Sequence, residues 1–119
     1  MKQDFIYFLR YMQVKHRMTL RRECIVPYAY VYETLRGLNG FNMLYVLVKD
    51  NEPLYIGVTN NIFFRMPQHV ATKDFDELYF VILSKRVNMY LLEKRAIMFL
   101  RPKLNKVHNS QKIFIPIVR

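Results

Sequence analysis

Residues 43–59, MLYVLVKDNEPLYIGVT, decide the fold that the sequence predicts. Two apolar runs, MLYVLV and LYIGVT, flank the polar residues 49–53, among which Asp50 and Asn51 favour a turn. Strands rich in Val, Ile and Tyr that are joined by such a turn are typical of a β-hairpin. The sequence therefore predicts a hairpin near the middle of the chain.

The period of two in a strand assigns every side chain of the hairpin to one of its faces. If the pairing is symmetric about Asp50, Tyr45 lies opposite Tyr55. Gly57 and Thr59 then share the face of the tyrosines, where the glycine lets a ligand approach the backbone. The ordinary alternative is that the two tyrosines only pack across the strands. The opposite face is expected to be core and carries Leu44, Val46, Val48, Leu54, Ile56 and Val58.

The chain before the hairpin differs in pattern, and the glycine-containing residues 37–40 separate the two parts. Residues 24–34 are rich in Val and Tyr and predict either an edge strand or a second helix. We divide the chain into an N-terminal appendage, residues 1–36, and a core, residues 37–119, within one compact domain. Residues 1 to about 20 predict a one-sided helix with apolar positions at Phe5, Phe8, Leu9 and Met12.

The chain after the hairpin carries the signals of two helices and two strands. Asparagines precede two segments with helical apolar spacing, where their side chains can cap a helix. Short apolar runs bounded by polar residues are typical of strands, and a proline in the last run restricts it to a sheet edge. The predicted elements are a helix from Asn60 or Asn61 to about Ala71, a strand at 78–83, a helix from Asn88 to about Leu100, and an edge strand at 113–118.

The composition describes one small and strongly basic domain. The chain has 119 residues, of which 52% are hydrophobic, and 19 Lys plus Arg against 9 Asp plus Glu give a net charge of +10. A domain of this size can bury a core without covalent crosslinks. Positive charge attracts polyanions, and phosphate backbones are the commonest of them, so nucleic acid is the expected partner. The alternative is a basic surface that only maintains solubility.

Cysteine count and hydropathy exclude two further classes of protein. The chain has one cysteine, Cys24, which cannot form an intrachain disulfide or supply the paired thiolates of a zinc module. We therefore expect a cytoplasmic protein in a reducing compartment. The longest uncharged stretches, 37–48 and 53–64, have twelve residues each, whereas a membrane helix needs about 20. No membrane segment is predicted.

Two groups of side chains outside the hairpin carry possible chemistry. Arg65 and His69 are four residues apart, so on a helix both project from one face and can converge on an anion. Pro67 lies between them, past the first turn, and is expected to delay or kink that helix. Glu93 lies on an apolar stripe of the last helix, and a buried carboxylate must meet a cation. That cation is either a protein side chain or a metal ion.

In their order along the chain, MLY, YIG, Thr59, Arg65, His69, Glu93 and RPKLN resemble the GIY-YIG nuclease family. The resemblance covers about half of the chain, residues 43–105. It implies an α+β fold with a small antiparallel β-sheet flanked by helices. It also implies an endonuclease that hydrolyses the phosphodiester bonds of DNA with one divalent metal ion, Mg²⁺ or Mn²⁺. Met43 replaces the first glycine of the family motif, which removes backbone freedom but no catalytic group.

The resemblance further implies a role for each candidate catalytic residue. Glu93 binds the metal, and Arg65 holds the scissile phosphate. Tyr45 or Tyr55 deprotonates or positions the attacking water, and His69 assists proton transfer or hydrogen-bonds the base tyrosine. Because the ordinary pKa of tyrosine is about 10, a tyrosine base requires cations that lower its pKa.

Further roles are expected for a residue that supports the site, for the N-terminal appendage and for the residues that contact nucleic acid. Asn105 is expected to support the site by hydrogen bonding. The appendage either adds DNA contacts, or forms a dimer surface, or only packs on the sheet. The expected contacts with nucleic acid are Thr59, Arg65, Arg17, Arg21 and Arg22.

Two alternatives to a nuclease stay open at the level of sequence. The first is a module that keeps the fold and binds nucleic acid or protein without cutting, which Pro67 favours. The second is an unrelated basic α+β domain in which the motif matches arise by chance. The retained tyrosines and the later polar residues favour the nuclease.

Overall fold

A four-stranded antiparallel sheet forms the centre of the protein in the computed structural model, which describes residues 1–105. For Arg21 and Arg22 only the backbone is described, and the predicted edge strand at 113–118 lies outside the described residues. A short 3₁₀ turn, Tyr28–Tyr30, precedes the second helix. The elements are α1 (Lys2–Lys15), β1 (Leu20–Pro27), α2 (Val31–Leu35), β2 (Met43–Lys49), β3 (Glu52–Thr59), α3 (Ile62–Thr72), β4 (Glu77–Leu83) and α4 (Met89–Leu100).

The strand order β1-β4-β2-β3 places β2 in the interior of the sheet and β3 at one edge. Side chains from α1 and α4 pack on one face, and side chains from α2 and α3 pack on the other. Residues 43–48 of β2 are therefore buried on both faces, which explains why their sequence is a nearly continuous apolar run. The predicted α+β class is confirmed, but core packing on one face of the hairpin only is wrong.

The hairpin turn has a different register from the predicted one. Asp50 and Asn51 both adopt positive φ angles, 51° and 63°, as in the two-residue turns that suit a twisted hairpin. Tyr45 pairs with Gly57, so the predicted pairing of Tyr45 with Tyr55 is wrong. The two tyrosines still share a face, because the true register differs from the predicted one by two residues.

The two-residue turn, centred between Asp50 and Asn51, accounts for one residue of the shift, and a β-bulge near the turn accounts for the other. Leu47 pairs with Tyr55 and Val48 pairs with Pro53, which leaves Leu54 as the extra residue of β3. Leu54 consequently packs on the face of the tyrosines, not on the aliphatic face where the simple alternation places it. The remaining aliphatic positions of the hairpin pack on the predicted side.

The first 36 residues contribute to the same sheet and the same core as the hairpin. Strand β1 pairs with β4 along its length, and Pro27 lies at the strand end, where a missing N–H is tolerated. The ambiguous residues 24–34 thus contain both predicted alternatives, the end of an edge strand and a helix. Helix α1 packs on the sheet through the predicted apolar positions, Phe5, Phe8, Leu9 and Met12.

The two helices after the hairpin follow the predicted bounds closely. Asn88 caps α4, and its side chain accepts a hydrogen bond from the Leu91 N–H at 3.1 Å. Helix α3 extends from Ile62 to Thr72 with Pro67 inside it, so the expected late start is wrong, whereas the expected kink stays a prediction. Pro67 is exposed, and its ring can project into solvent. Among the described residues, no helix is long and apolar enough to cross a membrane.

Residues that follow α4 cover the free edge of β3. The Leu104 N–H donates to the Leu54 carbonyl at 2.9 Å. The Asn105 side chain accepts from the Ile56 N–H and donates to the Ile56 carbonyl, both at 2.7 Å. These bonds replace a neighbouring strand and satisfy backbone groups that an edge would otherwise leave unpaired. Asn105 thereby fixes the backbone between Tyr55 and Gly57.

We predict that Asn105→Ala lowers the free energy of unfolding by about 2 kcal/mol or more, because it leaves two buried backbone groups of Ile56 without partners. Denaturant unfolding measures the change. Asn39→Ala, at an exposed loop position, is the matched control and should change stability by less than about 0.5 kcal/mol. Equal stability of the two variants would contradict the role of Asn105 at the edge.

Candidate active site

Three aromatic side chains from β2, β3 and α3 form the interior of the candidate site. The hydroxyl of Tyr45 lies 2.7 Å from Nε2 of His69, and this hydrogen bond is buried. The ring centroids of Tyr45 and Tyr55 are 5.4 and 5.0 Å from that of His69. The two tyrosine rings are 6.3 Å apart. The structure thus brings together three of the predicted catalytic residues.

Gly57 makes room for this cluster. A Cβ atom at position 57 would collide with the phenol ring of Tyr45, which lies directly across the hairpin. The sequence predicts that Gly57 admits a ligand to the backbone, but the group that occupies this space is the ring of Tyr45. Glycine is therefore required here for packing inside the protein.

His69 is held in its neutral form. Only 4% of the residue is exposed, and burial, with help from the positive charges of Lys73 and Arg65, lowers the pKa of His69 to about 4. Near neutral pH the Tyr45–His69 hydrogen bond therefore joins two uncharged groups. Nδ1 of His69 is buried and has no hydrogen-bond partner among the described residues.

Glu93 projects from α4 toward the edge of β3. Burial raises the pKa of this carboxyl, while a hydrogen bond from the Val58 backbone and the charge of Arg65 oppose that rise. The rest of its helical stripe packs in the core, as the sequence predicts. The ion pairs between side chains that the structure describes are Lys49–Asp74 and Lys103–Glu52, so Glu93 has no such partner.

Arg65 is the group that connects all parts of the site. It is exposed on α3, and its positive charge shifts the pKa values of Tyr45, Tyr55, His69 and Glu93. Arg65 precedes His69 by four residues on α3, so it lies one helical turn from the ring that contacts both tyrosines. The site therefore combines an exposed cation on α3, a carboxylate on α4, a phenol on the edge strand β3 and a buried phenol on the interior strand β2.

The two tyrosines differ in access to solvent and agree in the direction of their pKa shifts. Tyr45 is completely buried, whereas Tyr55 is partly exposed and has the Lys73 ammonium 4.8 Å from its ring centroid. Burial raises the pKa of both tyrosines, and Arg65 opposes this without reversing it. The expectation that nearby cations lower a tyrosine pKa is therefore not met by the charges of the chain.

The other residues predicted to bind nucleic acid are Thr59 and three N-terminal arginines. Thr59 is buried, and its hydroxyl accepts a hydrogen bond from the Asn61 N–H at 3.0 Å, which shapes the turn into α3. Arg17 lies between α1 and β1, and Arg21 and Arg22 belong to β1. Strands β1 and β3 are opposite edges of the sheet, roughly 14 Å apart at the usual strand spacing. The backbone positions of Arg21 and Arg22 are therefore on the far side of the sheet from Tyr55.

Lys73 is a member of the site that the sequence interpretation missed. It follows His69 by four residues, as His69 follows Arg65, but it comes directly after the end of α3 and has extended backbone, so helical spacing does not fix its position. Its proximity to the ring of Tyr55 depends on how α3 packs against the sheet, which local spacing does not reveal.

Searches of protein-family models, of curated proteins and of solved structures found no match to this chain. The resemblance to the GIY-YIG family stays a prediction from the motif residues. The geometry of the site is consequently the basis for assigning a function.

We predict that folding stability falls as the pH is lowered, because the unfolded chain protonates His69 near its ordinary pKa while the folded chain protonates it only near a pKa of about 4. Between about pH 7 and about pH 5 this residue accounts for a loss of roughly 2 kcal/mol. In His69→Gln the pH dependence of the unfolding free energy should be weaker by that amount. Identical pH dependence in wild type and variant would show that His69 is not held neutral.

Proposed function

We propose that the protein is a metal-dependent DNA endonuclease that hydrolyses phosphodiester bonds with a site of the GIY-YIG type. The observation that carries the proposal is the placement of Arg65, which is exposed on α3 one helical turn before His69, the residue that contacts both tyrosines. A phosphodiester bound at this guanidinium would then be reached by the Tyr55 phenol and by Glu93, which has no ion pair among the described side chains. Phosphodiester hydrolysis needs such a combination of groups.

Arg65 is assigned to the scissile phosphate. Its planar guanidinium can donate two parallel hydrogen bonds to phosphate oxygens, and a lysine cannot reproduce that geometry. The net charge of +10 attracts DNA over a longer range and supports the same choice of substrate.

Tyr55 is assigned to the attacking water, because it is the phenol that reaches the surface. With a raised pKa its hydroxyl stays protonated near neutral pH and orients water by hydrogen bonding. Tyr45 is completely buried, so it acts as a positioning residue. Its bond to His69 holds α3, and therefore Arg65, against the sheet.

Glu93 is assigned to the metal ion. A partly buried carboxylate without an ion pair among the described side chains is a suitable oxygen ligand for Mg²⁺. Residues 1–105 contain no group of three His, Cys, Asp or Glu side chains that could hold a metal ion, so water and phosphate oxygens would complete the coordination. When bound, Mg²⁺ or Mn²⁺ would act as a Lewis acid on the phosphate.

A module that binds nucleic acid without cutting it is the second candidate. The raised pKa of Tyr45 and of Tyr55 favours this candidate, since a phenol with a raised pKa is a weak base near neutral pH. The two candidates share the phosphate contact at Arg65 and differ in whether Glu93 and Tyr55 are needed.

We predict that the purified protein cuts plasmid DNA in the presence of Mg²⁺ and that Glu93→Gln reduces the rate at least about a hundredfold. Tyr55→Phe should also reduce the rate strongly, because it removes the hydroxyl assigned to the attacking water. The structure gives that hydroxyl no hydrogen bond among the described residues, so the substitution should leave the fold intact. Glu33→Gln is the matched control at an exposed glutamate of α2 and should cut at the wild-type rate.

Agarose gels follow the cutting, and a shift assay in chelator follows binding of the same DNA. Binding without cutting by the wild type would establish the second candidate. Cutting that survives Glu93→Gln would refute the assignment of this carboxylate.

A further inference from the structure

Exposed aromatic side chains are concentrated on the side of the sheet that carries α2 and α3. The α1–α4 side has Tyr7 and Tyr90 as its exposed aromatic residues within the described chain. Large exposed rings that occur as a group mark interaction sites more often than isolated ones do. The exposed rings of the α2–α3 side are Tyr28, Tyr30, Tyr32, Phe41 and Phe64.

Phe64 is the most exposed of these rings. It lies in the first turn of α3, directly before Arg65, and 80% of it is accessible to solvent. Its neighbour Phe63 turns toward the core and packs edge-on against Tyr32, with ring centroids 6.1 Å apart. The helix is thus anchored by one phenylalanine and presents the next to solvent beside the proposed phosphate contact.

Two further rings lie around the same turn of α3. Tyr32 is 41% exposed although it contacts Phe63, so part of its ring is open to solvent. Phe41, which is 42% exposed, follows Gly40, whose N–H donates to the Asn60 carbonyl at 2.7 Å. This bond ties the loop that carries Phe41 to the start of α3. We call Tyr32, Phe41 and Phe64 the aromatic surface.

The charges near the aromatic surface fit a polyanion. Arg36 is exposed at the end of α2, and Arg65 follows Phe64. Glu33 is the acidic residue of α2, so the basic side chains outnumber the acidic one. Aromatic rings interspersed with basic side chains are typical of proteins that bind single-stranded nucleic acid, where the rings stack on bases and the cations contact phosphates. In a duplex the base faces are covered by neighbouring bases, so such rings select unpaired bases.

We propose that the aromatic surface stacks on unpaired bases of a nucleic-acid strand whose backbone passes Arg65. The substrate would then contain a single-stranded segment next to the bond that is cut. The link to cutting rests on the proposed function, whereas the binding itself does not require cutting.

The absence of tryptophan from the sequence allows a direct test. Phe64→Trp introduces a single indole whose emission is quenched when a base stacks on it. In the presence of chelator, we expect saturable quenching by an oligothymidylate strand, with at least about fivefold weaker affinity for a duplex of equal length. Tyr7→Trp, on the opposite layer, is the matched control and should not be quenched.

A second variant measures the contribution of the ring to affinity. Phe64→Ala should bind a fluorescent single strand about five- to tenfold more weakly than wild type, because base stacking on one ring contributes about that much. Phe64 is exposed, so the substitution should leave the fold intact. On an abasic strand of equal length, wild type and variant should bind with the same affinity.

Three outcomes would overturn the inference. They are equal quenching by duplex and single strand, unchanged binding of the single strand by Phe64→Ala, and an emission change that depends on protein concentration without oligonucleotide. The last would indicate that a second copy of the chain covers the surface. Plasmid cutting without quenching would reject this inference alone. Quenching without cutting of a duplex that carries a single-stranded segment would reject the nuclease alone.

Discussion

The buried hydrogen bond between Tyr45 and His69 joins the middle of the sheet to α3, and the rest of the site depends on it. Tyr45 belongs to β2, which is covered on both faces, so its position is fixed by the core. His69 transmits that position to α3, the helix that also carries Arg65. Gly57 is needed because any larger residue would displace the ring of Tyr45. One bond and one missing side chain thus fix the position of the helix that carries the exposed cation.

The edge strand is the second constraint on the site. Backbone groups of β3 that face away from β2 are satisfied by residues from α4 and from the segment that follows it. The Asn105 side chain hydrogen-bonds the N–H and the carbonyl of Ile56, and the Val58 backbone hydrogen-bonds the Glu93 carboxylate. The carboxylate is therefore oriented by the same strand that carries Tyr55. Coverage of the edge and assembly of the site are consequences of the same contacts.

Local sequence patterns predict the parts of this arrangement that depend on neighbouring residues. Alternation along β2 and β3 assigns Tyr45 and Tyr55 to one face. The assignment is correct although the predicted register is wrong, because a shift of two residues leaves each side chain on the same face. Asn88 and the apolar stripe around Glu93 predict α4 correctly, since capping and helical spacing are local. The bulge at Leu54 is not predicted, because it depends on the exact turn and on the segment that covers the edge.

Features that depend on contacts between distant segments are not predicted by local sequence patterns. Coverage of the tyrosine face by α2 and α3 converts an expected ligand face into core around Tyr45. The same burial reverses the expected direction of the tyrosine pKa shifts, because desolvation outweighs the charge of Arg65. The N-terminal residues join the sheet because β4 leaves an edge that β1 can pair. The periodicity of apolar residues within a single helix or strand does not predict any of these effects.

The division between buried and exposed groups gives the site its chemical character. Tyr45 and His69 are inaccessible and uncharged near neutral pH, so their contribution is geometric. Tyr55 and Arg65 stand at the surface of the same cluster and are the groups that a substrate can touch. A rigid interior lowers the entropy lost when the surface groups order around a ligand. In this interior the Tyr45 hydroxyl pairs with Nε2 of His69, while Nδ1 of His69 is buried without a partner among the described residues, and the charge of Arg65 stays at the surface.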